Sequence, residues 1–323
     1  MRRTIVALAA LLALAGPQLA RAETLKVAVP QRGAWGTAYV PLGDNKGFFK
    51  AEGLDLEITW TEGGASNEQA IISGSVDVGV ATGYLGMISA FVKGAPVRII
   101  SAEATGAPDM FWYAKAGGPV KSIKDLKGKT VSFSNPGSSS NLILMTLLKE
   151  AGVTDAKTIA IGAAPNGIPQ VMTGQLDASW CVPPTGLAQI AKKEIAIIAI
   201  GNDSEAVRNE TVRVNAVNLN YLNAHRDAVM RFLRAYGKSV DWAYSGEEPM
   251  QAFAKWSDQP LPLVKEMVTK FQSKEQDQIA EIKGTQRVLD EALAAKRIPK
   301  AMTPADIKGA FDFVLPGTKL SQM

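Results

Sequence analysis

The residues best suited to hold a ligand are small and polar, and they fall where apolar strands give way to helices. The plainest case is 131–144. An apolar run ends, Pro136-Gly137 turns the chain, and Ser138, Ser139, Ser140 and Asn141 open an apolar helix. The first amides of a helix lack an intrahelical acceptor and carry partial positive charge. Hydroxyl and amide groups gathered there suit a sulfonate, a carboxylate or a similar anion. An ordinary helix cap is the competing explanation, although a cap needs one such residue and not four.

Other strand ends offer weaker versions of the same arrangement. Gly64 and Ala65, in 62–67, either approach a ligand or form a capped turn. Thr82, after the run 76–80, caps the next helix or faces a ligand, and Tyr84 packs in the core or beside the site. Trp35 lies between Gly33 and Gly36 and is expected on a loop surface, where a ligand could stack on it. Trp180 closes 177–180 and either lines the pocket or lies buried beneath it; Pro183-Pro184 stops that strand.

Catalytic constellations are missing. His225 is the only histidine and Cys181 the only cysteine. A serine nucleophile would have no other imidazole to activate it, and one residue of each type makes no zinc cluster. Neither GxGxxG nor GxxxxGK[ST] occurs. These absences weigh against hydrolase, metalloenzyme and dehydrogenase chemistry, so no enzyme and no cofactor is expected.

The elements that must position these residues alternate regularly. Strands are expected at 25–29, 54–60, 76–80, 97–102, 129–133, 157–161, 176–181 and 195–200. Amphipathic helices are expected at 37–51, 65–73, 84–93, 139–151, 166–173 and 184–193. Such alternation predicts an α/β fold of mostly parallel sheets flanked by helices. From about 221 the pattern becomes helical, at 221–244, 247–257, 261–271 and 281–296. Two strands, 109–115 and 212–219, break the alternation and read as crossovers. The expected organisation is therefore two lobes, 23–116 with 212–323 and an inserted 117–211, ending in a helical tail.

The first 22 residues are set apart. Arg2 and Arg3, the apolar run 5–15, Gly16-Pro17 and Ala20-Arg21-Ala22 make a secretory signal cleaved after Ala22. The chain has 323 residues, with 35 basic against 31 acidic. Without Arg2, Arg3 and Arg21 the net charge is about +1, and no basic stripe suited to nucleic acid remains. Cys181 is far from the cleavage point, so lipid anchoring is not expected.

Several stretches resemble the nitrate/sulfonate/taurine group of transporter solute-binding proteins, whose fold is shared with thiamine-precursor synthases. They are 46–57, Gly63-Gly64-Ala65, 72–79, 93–97, 123–131, 136–139 and 174–178. The resemblance covers roughly residues 24–220. It implies a type II-like periplasmic-binding-protein fold and a monomer that captures a small organic anion between its lobes. It also implies delivery to an ABC transporter permease with a cytoplasmic ATPase. Carried over by position, the contacts are Trp35, Gly64, Ala65, Thr82, Tyr84, Ser138, Ser139 and Trp180; Ser140 and Asn141 join them from the residue reading. Many relatives carry Trp-Glu-Pro where this chain has Val182-Pro183-Pro184 after Trp180-Cys181. The carboxylate for a cationic ligand group is missing there, and Glu62 and Glu103 are the candidates to replace it. The alternative functions are a pyridoxal-phosphate-dependent pyrimidine-precursor synthase and a ligand sensor for a signalling receptor.

Overall fold

A computed structural model describes residues 22–321. The expected signal, apart from Ala22, lies outside the described residues. The chain runs β1 (Glu23–Pro30), α1 (Tyr39–Asn45), α2 (Phe48–Ala51), β2 (Leu54–Thr61), α3 (Gly64–Ser73), β3 (Val78–Gly83), α4 (Tyr84–Val92) and β4 (Val97–Thr105). It then passes to β5 (Phe111–Lys115), β6 (Thr130–Phe133), α5 (Ser139–Glu150), β7 (Lys157–Ala160), α6 (Gly167–Thr173), β8 (Ala178–Cys181), α7 (Leu187–Ala191) and β9 (Ile195–Ile200). It returns through α8 (Glu205–Arg208) to β10 (Thr211–Asn218). The tail is α9 (Leu219–Ala224), α10 (Arg226–Ala243), α11 (Glu247–Ser257), α12 (Leu261–Phe271) and α13 (Thr285–Ala294).

The strands form two five-stranded sheets, ordered β2-β1-β3-β10-β4 and β7-β6-β8-β5-β9. This is the two-lobed architecture of periplasmic-binding proteins. Each sheet holds one antiparallel strand whose chain has come from the other lobe. β10 lies antiparallel between β3 and β4, and β5 lies antiparallel between β8 and β9. β5 therefore belongs to the second sheet, whereas the sequence reading put it in the first lobe. The first crossing is the short stretch 106–110 and not the strand 109–115.

Family-like motifs recur in equivalent places in both lobes. α3 and α6 both end on a glycine, Gly74 and Gly174. Three residues later, Asp77 accepts from the Lys26 amide and Asp177 from the Thr130 amide, both at 2.8 Å. Each aspartate fastens a helix–strand turn to the neighbouring strand. These motif residues secure the fold, so they carry no information about a ligand.

Four helical segments differ from the periodicity. The segment 37–51 splits at Gly47, whose left-handed backbone ends one helix and starts another. The segment 221–244 splits at His225, which leaves helical geometry and accepts or donates at 2.7 Å to Glu23. The helix expected at 184–193 shortens to α7 because Pro183-Pro184 and Gly186 delay its start. In 281–296, Glu281–Ile282 pair with Lys319–Leu320 instead of joining α13. In the tail, α10 buries Val229, Phe232, Leu233, Tyr236 and Val240 along one face. Phe232 stacks on Phe49 of α2, and Tyr236 meets Tyr39 of α1 edge-on, which locks the tail onto the first lobe.

Among the described residues, no helix is long and apolar enough to cross a membrane.

Candidate functional site

A cavity of about 70 Å³ lies between the lobes, where β3 and the loops after β1, β2, β6 and β8 converge on the crossings. That position, beyond strand carboxyl ends, is the usual ligand site of open α/β sheets. The space would hold about five waters, so it suits a solute of few non-hydrogen atoms.

One wall is the start of α5. Ser134, Ser138 and Ser140 close a triangle of hydroxyls, with Oγ–Oγ distances of 2.8, 2.9 and 3.0 Å. Ser138 also caps the helix by accepting from the Asn141 amide at 3.2 Å, and the Ser134 amide donates to the Ser140 hydroxyl at 2.9 Å. Ser139 donates its hydroxyl to the Val212 carbonyl of β10 at 3.0 Å, tying the lobes together. The hydroxyls expected to bind an anion are thus satisfied within the protein. The same residues open the helix, whose first-turn amides have no acceptor within the helix. Trp180 adds a donor: it is 3% exposed, lines the cavity, and its Nε1 is buried without a protein partner. Replacing Ser138 with Ala removes the cap and one corner of the triangle. The expected cost is about 1–2 kcal/mol in urea denaturation; an unchanged midpoint would show that the cap contributes nothing.

Another part of the lining is charged. Arg213 of β10 places Nε 3.0 Å from Glu103 Oε2 and Nη1 3.0 Å from Asp109 Oδ2. Glu103 is on β4 and Asp109 on the first crossing, so the two crossings are tied by one guanidinium. Glu103 and Asp109 are 2% and 5% exposed. The second oxygen of each, Glu103 Oε1 and Asp109 Oδ1, is buried with no hydrogen-bond partner, although both residues line the cavity. Behind them Asp277 accepts from the hydroxyls of Tyr39 and Tyr244. Burial pushes the Glu103 carboxyl well above the usual range; Arg213 pulls it down, and Asp277 and Asp109 push it up again. Burial likewise raises Asp277 despite the tyrosine donors.

Backbone strain concentrates here too. Gln31 and Ala81 both line the cavity and both hold left-handed backbone, with φ of 57° and 51°. Such conformations cost energy in residues with a Cβ and persist where the surroundings enforce them. Thr37 enforces the first by donating to the Gln31 carbonyl at 2.8 Å. Asn215 of β10 enforces the second by accepting from the Ala81 amide at 3.2 Å.

The structure brings Gly64, Ser138, Ser139, Ser140 and Trp180 to the cavity. Other expected contacts lie elsewhere. Trp35 is in the core, 1% exposed, packed on Tyr244 and Phe253; the helical tail supplies the apolar cover that a glycine-flanked loop did not suggest. Thr82 is buried and donates to the Val214 carbonyl. Tyr84 is buried, with its hydroxyl 2.7 Å from that of Thr285. Ala65 sits one residue beyond the cavity wall. Asn141 accepts from the Gly137 amide at 3.0 Å and faces an outer groove beside α13. Glu62 is exposed, and only its carbonyl takes part, accepting from Asn135 across the cleft. Of the two carboxylates named as candidates, Glu103 lines the cavity; Asp109 and Arg213 were legible only as ionisable residues in strand-like segments.

The family model described as NMT1/THI5 like matches residues 37–252. The chain belongs to this family. It is 22% identical over 230 residues to the 4-amino-5-hydroxymethyl-2-methylpyrimidine phosphate synthase THI5 of Saccharomyces cerevisiae, covering 67% of this chain and 65% of the yeast protein. The chain thus matches just under two thirds of that relative's length. Among solved structures, it is similar to the alkanesulfonate-binding protein SsuA from Xanthomonas axonopodis pv. citri, with a TM-score of 0.75 and 17% identity, covering 88% and 96% of the two chains. It is also similar to the periplasmic nitrate-binding protein NrtA from Synechocystis PCC 6803, with a TM-score of 0.70 and 14% identity over 89% and 85%. This NMT1/THI5-like chain therefore has the fold of periplasmic binding proteins, and members of its family include chains named as synthases.

Proposed function

We propose that the chain is the extracytoplasmic solute-binding component of an ABC importer. It holds a small organic solute between its lobes and hands it to a membrane permease served by a cytoplasmic ATPase. The observation that carries this reading is the small cavity between two lobes joined by two crossings. The secretory pattern of 1–22 supports export to the periplasm without lipid anchoring. The solute's acidic group, a sulfonate or carboxylate, rests on the α5 terminus and the Trp180 indole. The sulfonate- and nitrate-binding neighbours favour that class.

Binding to the folded state alone stabilises it by mass action, by about 2.7 kcal/mol at a hundredfold excess over Kd. A panel of sulfonates, carboxylates, nitrate and pyrimidines should therefore contain members that raise the melting temperature by several degrees. If every member leaves it unmoved, the reading fails. X-ray scattering should also show contraction when an active member is added, as the lobes close about the crossings.

Pyrimidine-precursor synthesis is the second reading, favoured by the match to the yeast synthase. The described residues lining the cavity include no lysine, so this site offers no amine for a Schiff base to pyridoxal phosphate.

A further inference from the structure

We propose that Glu68 and Arg297 make the closing of the lobes proton-linked. The second lobe seats over a neutral Glu68, and the ionised carboxylate favours the parted lobes. The inference stands on the two-lobed fold and holds whichever solute is bound.

Three observations carry it. The first is where the lobes touch. A Cβ on Gly83, in the first lobe, would stand 3.1 Å from the Gly137 carbonyl oxygen and 3.3 Å from the Ser139 nitrogen, both in the second. The same point is 3.3 Å from Glu68 Oε1. Backbone from both lobes and one carboxyl oxygen therefore crowd together at a seam that leaves no room for a side chain. The second is the state of Glu68. It is 5% exposed, and Oε1 is buried with no hydrogen-bond partner. An ionised carboxylate held there has neither water nor a donor, which is costly. The third is Arg297, which follows α13. A Cβ on Gly137 would collide with its guanidinium, so that group lies across the seam against the second lobe. Its Nε is also buried without a partner. A buried acid and a buried base thus stand near each other, each short of hydrogen bonds.

The elements packed on Glu68 bring few opposing groups. α4 presents Gly83 and Gly86, and the start of α5 presents backbone. The α5 terminus and the Arg297 guanidinium both favour the charged carboxyl. Burial outweighs the arginine and holds the carboxyl up at about 8. When the second lobe lifts away, water reaches Glu68 and the group returns toward the ordinary value of about 4.3. Between those two values closing takes up one proton from solvent. Acid therefore favours the closed form and alkali the open one.

A lock across the seam tests this without any solute. A Cβ on Gly64 would lie 3.7 Å from that of Ser138, which is the spacing of a disulfide. The mature chain carrying Gly64→Cys and Ser138→Cys is closed when oxidised and free to open when reduced. Carbon-13 NMR of the glutamate carboxyls follows both forms through a pH titration, and Glu68→Gln identifies the Glu68 signal by its loss. Glu68 should titrate near 8 in the locked chain and at least one pH unit lower in the reduced chain. Arg297→Met should move the locked value higher still, which a purely structural arginine would not do. That shift also identifies the signal should Glu68→Gln not fold. Equal titration in the locked and reduced chains overturns the link, as does a Glu68 that ionises in the ordinary carboxylate range in the locked chain. Either result leaves the solute-binding reading to the ligand panel.

Discussion

Arg213→Met is expected to destabilise the protein by about 3–5 kcal/mol at pH 7.5, the usual cost of breaking a buried ion pair from one side. Methionine fills much of the space that the guanidinium leaves, so the loss is electrostatic and not a cavity effect. Glu103 and Asp109 would remain, almost wholly buried, with no counter-charge. The two crossings would also lose the side chain that ties them together. Because carboxylates without a partner take up protons, the deficit should shrink as the pH falls toward 5. Adding Asp109→Asn to Arg213→Met should restore part of the stability at pH 7.5, since a stranded charge is gone. Urea denaturation of the single and double variants at both pH values measures all of this. A deficit below 1 kcal/mol at pH 7.5, or one that does not change with pH, would show that the triad does not hold the crossings.

The pH profile of stability should turn on a second buried acid, Glu68 of α3. It is 5% exposed and lies against Gly86 of α4, with Oε1 unpartnered. Burial pushes its carboxyl up to about 8, against the pull of the Arg297 guanidinium. Between about pH 4.5 and 8 the folded chain keeps a proton there that the unfolded chain has released. The contribution of this group is therefore complete below about pH 4.5 and is lost as the pH rises through about 8. Glutamine cannot ionise, so Glu68→Gln removes this dependence. Relative to the parent, the variant should gain about 2–4 kcal/mol on going from pH 4.5 to pH 8.5. The readout is the slope and not the absolute stability, because the amide has its own hydrogen-bonding needs in the same space. Parallel pH profiles for the two proteins would mean that Glu68 is ionised in the fold at neutral pH. Glu210, also raised to about 8 by burial, should leave a residual slope of the same sign in the variant.

The sequence by itself determined the elements and their order. Apolar strands alternating with amphipathic helices need only local periodicity to be seen, and β1 to β4 and β6 to β9 fall where that periodicity puts them. The two odd strands stood out because the periodicity placed no helix before either of them. The convergence of the loops at 63–64, 138–140 and 180 was legible for the same reason: each ends a strand of a parallel sheet, and such ends meet on one side of the fold. Only the tertiary structure decided which side chains enter the cavity. Trp35 is drawn inward by Tyr244 and Phe253, which lie more than two hundred residues away in sequence. The three serines satisfy one another because the turn at 134–140 folds their hydroxyls together. Glu103, Asp109 and Arg213 form an ion-paired cluster only because one strand leaves a lobe beside the strand that returns to it. Local pattern reports which face of an element is apolar. Charge balance in a buried cluster depends on partners brought from separate elements, and those meet only when the chain has folded.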